Sequence, residues 1–140
     1  MKAEEVMIGD WVNFKHFNGE IEPMKIENIY GSEFNCKTER DNFDEEAIKS
    51  GWYLMDAEPI PITEEFLMKN GFGYVEKDGH ITHLYPGEKG LCADMDIHVG
   101  TYNDGRFWLI RGNNEVYGLE HVHQLQHALR MFNIKDTIKV

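Results

Sequence analysis

Several things are scarce in this 140-residue chain, and each scarcity removes a class of function. The apolar runs are only a few residues long, too short to span a bilayer as a helix. Cysteine occurs twice, at Cys36 and Cys92, which is no disulfide framework; two free thiols are expected. Serine also occurs twice, at Ser32 and Ser50, and neither lies in a nucleophile elbow. A phosphate-binding glycine loop and a dinucleotide fingerprint are both missing. The acidic run "ERDNFDEE" lacks the glycine and the spacing of a calcium loop. Positive charge is short as well: 14 Lys and Arg stand against 25 Asp and Glu, a net charge of −11. The deficit is concentrated in residues 1–60, which hold 6 basic and 14 acidic side chains. Such a surface repels phosphate backbones, so direct binding of DNA or RNA is disfavoured. The opening "MKAEEVMIGDW" places two glutamates where a signal peptide needs apolar residues, and a cytoplasmic protein is expected.

What is present is the punctuation of an α+β fold. Ile8, Trp11, Val12 and Phe14 form a first expected strand, and Asn18-Gly19 is a strong hairpin signal. Met24, Ile26 and, after a shift of phase, Ile29 mark a second strand, closed by Gly31; Phe34 and Cys36 mark a third. Short antiparallel strands in this order predict a small bent sheet or a half-open Src-homology-3-like barrel. Asp41 is placed to cap a short helix that Gly51 would end; a solvated acidic loop is the alternative. Thr63, Glu64, Glu65, Lys69 and Asn70-Gly71 punctuate a helix at both ends, with Phe66, Leu67 and Phe72 as its core contacts. The second half reads as a four-strand meander followed by a helix from Leu119 to Phe132. The expected division is a β-rich unit over 1–58 and an α+β unit over 59–140, or one continuous domain.

Two stretches carry candidate metal ligands. On the last helix, Val122, Leu125, Ala128, Leu129 and Phe132 fall in one arc, and His123 and His127 share a stripe expected to face solvent. Histidines four apart can share an ion, but zinc needs three or four ligands, and Gln124 stands where a metalloprotease would have glutamate. In "CADMDIHV", strand alternation would put Cys92, Asp94, Asp96 and His98 on one face. The wet face of a half-buried strand accounts for that pattern without metal. If the two stretches met, His123 or His127 would join Asp96 and His98.

Three motifs resemble a family of small proteins of unknown activity encoded by Bacteroidetes phages and mobile elements. They are "IGDWV" (Ile8 to Val12), "PIPITEE" with Gly71-Phe72 downstream, and "VHQLQ" (Val122 to Gln126). The chain departs from the family pattern in a longer 39–52 segment and in His127, where the pattern has asparagine. The resemblance implies a phage or mobile-element accessory protein and singles out His123, Gln124 and Gln126, polar residues that leucine packing alone does not require. Three functions follow as expectations. The first is a non-enzymatic protein-interaction module with no cofactor. The second is a zinc-binding protein or metal-dependent enzyme using Asp94, Asp96, His98, His123 and His127. The third is an acidic mimic of nucleic acid.

Overall fold

The computed structural model describes residues 1–16, 18–38, 49–53, 56–77, 80–84, 97–101, 106–111, 114–134 and 138–140. The fold is α+β and divides into two compact units, residues 1–60 with Val140 and residues 61–139.

The first unit begins with a turn. Asp10 N–H donates to the Met7 carbonyl at 3.1 Å, and Gly9 takes a positive φ of 91°. The Asp10 carboxylate, completely buried, accepts from Met7 N–H at 2.7 Å. Ile8 therefore lies on an exposed turn and not in the first strand, which starts at Trp11. Gly9 has no Cβ to oppose this left-handed backbone.

Five strands follow: β1 (Trp11–Lys15), β2 (Ile21–Tyr30), β3 (Glu33–Thr38), β4 (Lys49–Tyr53) and β5 (Ala57–Pro59). Their spatial order is β4-β3-β2-β1-β5, all antiparallel. Among the described residues β4 and β5 do not pair, so this is an open antiparallel sheet and not a closed barrel. β2 serves both halves, pairing with β1 through Ile21 to Lys25 and with β3 from Met24 onward. Among the described residues Pro23 pairs with Asn13 of β1 and with no residue of β3. The phase shift visible in the sequence is a bulge between Ile26 and Asn28. Val6, Val12, Phe14, Met24, Ile26, Phe34, Cys36 and Ala57 form the core of this unit. Cys36 is a buried free thiol whose Sγ donates to Met24 Sδ at 3.1 Å. Gly51, expected to end a helix, lies inside β4, where Trp52 pairs with Phe34. The remainder of that acidic segment, including Asp41, is outside the described residues.

The second unit contains α1 (Glu64–Lys69), five strands and α2 (Val122–Met131). Thr63 Oγ1 accepts from Phe66 N–H at 3.1 Å, as its capping position predicts. Gly71, at φ +78°, closes α1: Phe72 N–H reaches back to Leu67 O and Gly71 N–H to Met68 O. Asn133, at φ +57°, performs the same closure for α2, with Ile134 N–H bonded to Leu129 O. β6 (Gly73–Lys77), β7 (His80–Leu84), β8 (Ile97–Thr101), β9 (Phe107–Arg111) and β10 (Asn114–Leu119) form an antiparallel sheet in chain order. The sequence reading counted four strands here. The fifth is "NEVYGL", which pairs with β9 from Asn114↔Arg111 to Leu119↔Phe107. Gly112-Asn113 between those strands is a hairpin dipeptide in sequence, and that signal was passed over. Among the described residues no helix is long and apolar enough to cross a membrane.

One side chain ties the end of the second unit to α1. Asn70 Nδ2 donates to Lys139 O at 2.8 Å and to Phe66 O at 3.0 Å, while its Oδ1 accepts from Lys139 N–H at 2.8 Å. The adjacent Ile138 is buried. At about 1 kcal/mol for each net bond, Asn70→Ala is expected to destabilise the chain by about 1–3 kcal/mol in urea unfolding. Asn70→Asp, which keeps the acceptor and loses the donor, should fall between the two.

Candidate functional site

The motif at the start of α2 is built on a junction where a strand becomes a helix. β10 ends at Leu119, one turn later than a helix beginning at Leu119 would allow, so the expected start of α2 moves to Val122. Glu120 and His121 remain extended. Ile62 N–H donates to Glu120 O at 3.0 Å, and Pro61 bridges His121. Two backbone N–H groups at this junction point at Gln124. Its Oε1 accepts from Glu120 N–H at 2.7 Å and from His121 N–H at 3.0 Å. Gln124 is thus the third-residue half of a capping box. Its oxygen accepts at a place where helices have surplus donors.

The neighbouring histidines are placed differently from the expected solvent-facing stripe. His123 is only 6% exposed and Gln126 is fully buried, together with Val122, Leu125, Ala128 and Leu129. At about 100° per residue these positions span an arc of about 220°, so the helix is covered on more than one flank. The exposed side narrows to Met131 with the half-buried Gln124 and His127 beside it.

His121, His123 and His127 stand in a row. The rings of His121 and His123 are stacked, 5.7 Å apart and 11° from parallel; those of His123 and His127 meet edge to face at 5.7 Å and 73°. An imidazole binds a metal in its own plane. Nearly parallel stacked planes share no nearby point, so His121 and His123 cannot ligate one ion in this arrangement. The His123 and His127 planes do cross, which leaves a pair of candidate donors where zinc needs three or four. Asp94, Asp96 and Cys92 lie outside the described residues, and His98 is in β8, in register with Leu84 and Ile110. Among the described residues no three His, Cys, Asp or Glu side chains are grouped to hold a metal.

Next to this junction lies an open cleft of about 340 Å3 at the end of the β9-β10 hairpin. Trp108 pairs across the sheet with Gly100 on one side and Gly118 on the other. Its six-membered ring lies 3.6–3.9 Å from where a Cβ on Gly118 would be, so the indole leans over a strand without a side chain. Phe107, Leu119, the half-exposed Tyr117, Arg106, Glu120 and Gln124 complete the lining. Arg106 and Glu120 each lie one residue beyond the Phe107↔Leu119 pair, so opposite charges flank the end of the ladder. The lining holds three aromatic side chains, one cation and one anion. A four-strand meander with a helix from Leu119 leaves out β10, the strand that lines this cleft. The register of a glycine against a tryptophan is visible only once β10 is recognised.

No family model, no curated protein and no solved structure matches this chain.

Two expectations follow for the motif. Gln124→Ala should lower stability by about 1 kcal/mol, whereas Gln124→Glu keeps the acceptor, adds negative charge in the first turn, and should match or exceed the wild type. A carboxylate variant as weak as the alanine one would contradict the cap. The second expectation concerns zinc, which would add about 2.7 kcal/mol at 100 times the dissociation constant of a real site. Thermal melts with chelator and with micromolar zinc are expected to coincide, and His127→Asn is expected to change them little. A zinc-dependent rise of several degrees that His127→Asn removes would establish a site.

Proposed function

We propose that this chain is a cytoplasmic accessory protein of a phage or mobile element, and that it acts by binding another protein and catalyses no reaction itself. The observation that carries the reading is the aromatic cleft beside β10. Its tyrosine is half exposed, its tryptophan is partly buried, and its lining holds one charge of each sign. Aromatic residues and arginine in partly desolvated clefts are the side chains that dominate protein–protein binding energies. The motif resemblance supplies the biological setting. The roles of Gln124 as a cap and of His123 and Gln126 as buried residues give that motif a structural purpose that needs no chemistry.

A second reading, a zinc-binding protein or zinc-dependent enzyme, draws on the crossed planes of His123 and His127. Elemental analysis after purification without chelator separates the two: stoichiometric zinc supports the second.

The first reading is tested by capture from host extract at physiological salt, with the full chain immobilised beside a Trp108→Ala, Glu120→Lys variant. A protein retained by the wild type and reduced at least tenfold on the variant is the expected result. Retention of nothing by the wild type would overturn the proposal.

A further inference from the structure

We infer that Asn18 is a site of spontaneous deamidation, where the chain acquires an aspartate or isoaspartate in the turn between β1 and β2, and that the fold protects Asn70, the other asparagine followed by glycine, from the same reaction. This goes beyond the interaction reading and does not rest on it.

The reaction needs only water. The backbone nitrogen of the following residue gives up its proton to solvent and attacks the side-chain amide carbon. The bond from that carbon to the side-chain nitrogen breaks, and ammonia leaves. A five-membered succinimide remains, and water opens it at one of its two carbonyls. Cleavage at the side-chain carbon gives aspartate. Cleavage at the main-chain carbon gives isoaspartate, in which the backbone runs through the former side chain. Glycine in second place favours the attack because no side chain shields its nitrogen.

Asn-Gly occurs twice, at 18–19 and at 70–71. Both glycines have a positive φ, 84° at Gly19 and 78° at Gly71. Both also close a turn through their N–H, Gly19 to His16 O at 2.8 Å and Gly71 to Met68 O at 2.9 Å. That bond must open in either place, so it does not separate the two sites. The asparagine side chains do. Asn18, Gly19 and Glu20 are exposed, and no other part of the chain lies within 4 Å of where a Cβ on Gly19 would be. Asn18 Oδ1 accepts from Glu20 N–H at 3.0 Å, an Asx turn. Such a turn folds the amide carbon back toward the intervening nitrogen, that of Gly19. It also aims a donor at the oxygen on which negative charge develops during the attack. The departing nitrogen, Asn18 Nδ2, makes a long contact of 3.5 Å with Glu20 Oε2.

At Asn70 the amide is anchored at both ends. Its Nδ2 donates to Phe66 O at 3.0 Å and to Lys139 O at 2.8 Å, and its Oδ1 accepts from Lys139 N–H at 2.8 Å. Turning this amide toward Gly71 N breaks these bonds, and the loss of three net bonds slows the step by roughly a hundredfold. The consequence at position 18 is local. A new carboxylate there joins Glu20 and Glu22, the latter already paired with His16 Nε2 at 3.1 Å. Isoaspartate also lengthens the backbone of a turn whose ends are tied by His16 N–H to Glu20 O at 2.8 Å.

The test keeps the full chain in warm, mildly alkaline buffer, folded in one arm and unfolded in guanidinium chloride in the other. Samples taken over days are digested with trypsin, and a sample digested at the start corrects for conversion during digestion. Cleavage after Lys15, Lys25, Lys69 and Lys77 releases residues 16–25 and 70–77 as separate peptides. Mass spectrometry reads the change from amide to acid, and chromatography separates aspartate from isoaspartate. In the folded chain Asn18 is expected to convert at least tenfold faster than Asn70. In guanidinium the two rates are expected to lie within threefold of each other. A folded ratio below tenfold, or a ratio above threefold in guanidinium, would overturn the inference.

Discussion

Where β10 gives way to α2, backbone N–H groups lose their ladder partners before the helix can supply new ones, and the rest of the second unit's functional surface depends on how that gap is closed. Gln124 closes it with one oxygen, taking the N–H groups of Glu120 and His121 together. The same two residues are held from outside by Ile62 N–H and by the bridge to Pro61. With the junction fixed, Glu120 lines the cleft, the rings of His121 and His123 stack, and His127 meets His123 edge to face. A cap of this kind is worth about 1 kcal/mol, which is why a glutamine and not a leucine belongs here.

The arrangement separates two roles that the sequence presents together. "HVHQLQH" looks like chemistry because histidines are rare and often functional. In the structure Gln124 caps the helix start, and His123 and Gln126 are buried beside leucines. The chemistry available to a partner lies one strand earlier, at Arg106, Trp108, Tyr117 and Glu120. The groups there are aromatic rings and single charges on a sheet.

Much of the scaffold was legible in the sequence for local reasons. Thr63 and Gly71 declare the ends of α1 because a cap and a left-handed residue are short-range requirements. The break in alternation after Ile26 announced a bulge because strand side chains alternate strictly. Ile8 misled because it continues an apolar pattern while Gly9-Asp10 impose a turn. β10 was hidden by its proximity to the helix, and with it went the Trp108–Gly118 pairing, which joins residues ten apart through register alone. The burial of His123 is a tertiary outcome: a helical wheel gives angles and cannot say how many sides of the helix are covered. The acidic stretch around Asp94 and Asp96 is outside the described residues.

Amide hydrogen exchange at Glu120 and His121 tests the central claim most directly. If Gln124 closes the junction, both amides exchange slowly in the wild type. They become fast in Gln124→Ala, while Leu125 and Leu129 in the helix interior keep their protection. Fast exchange of Glu120 and His121 in the wild type, or protection that survives the loss of Gln124, would contradict the account.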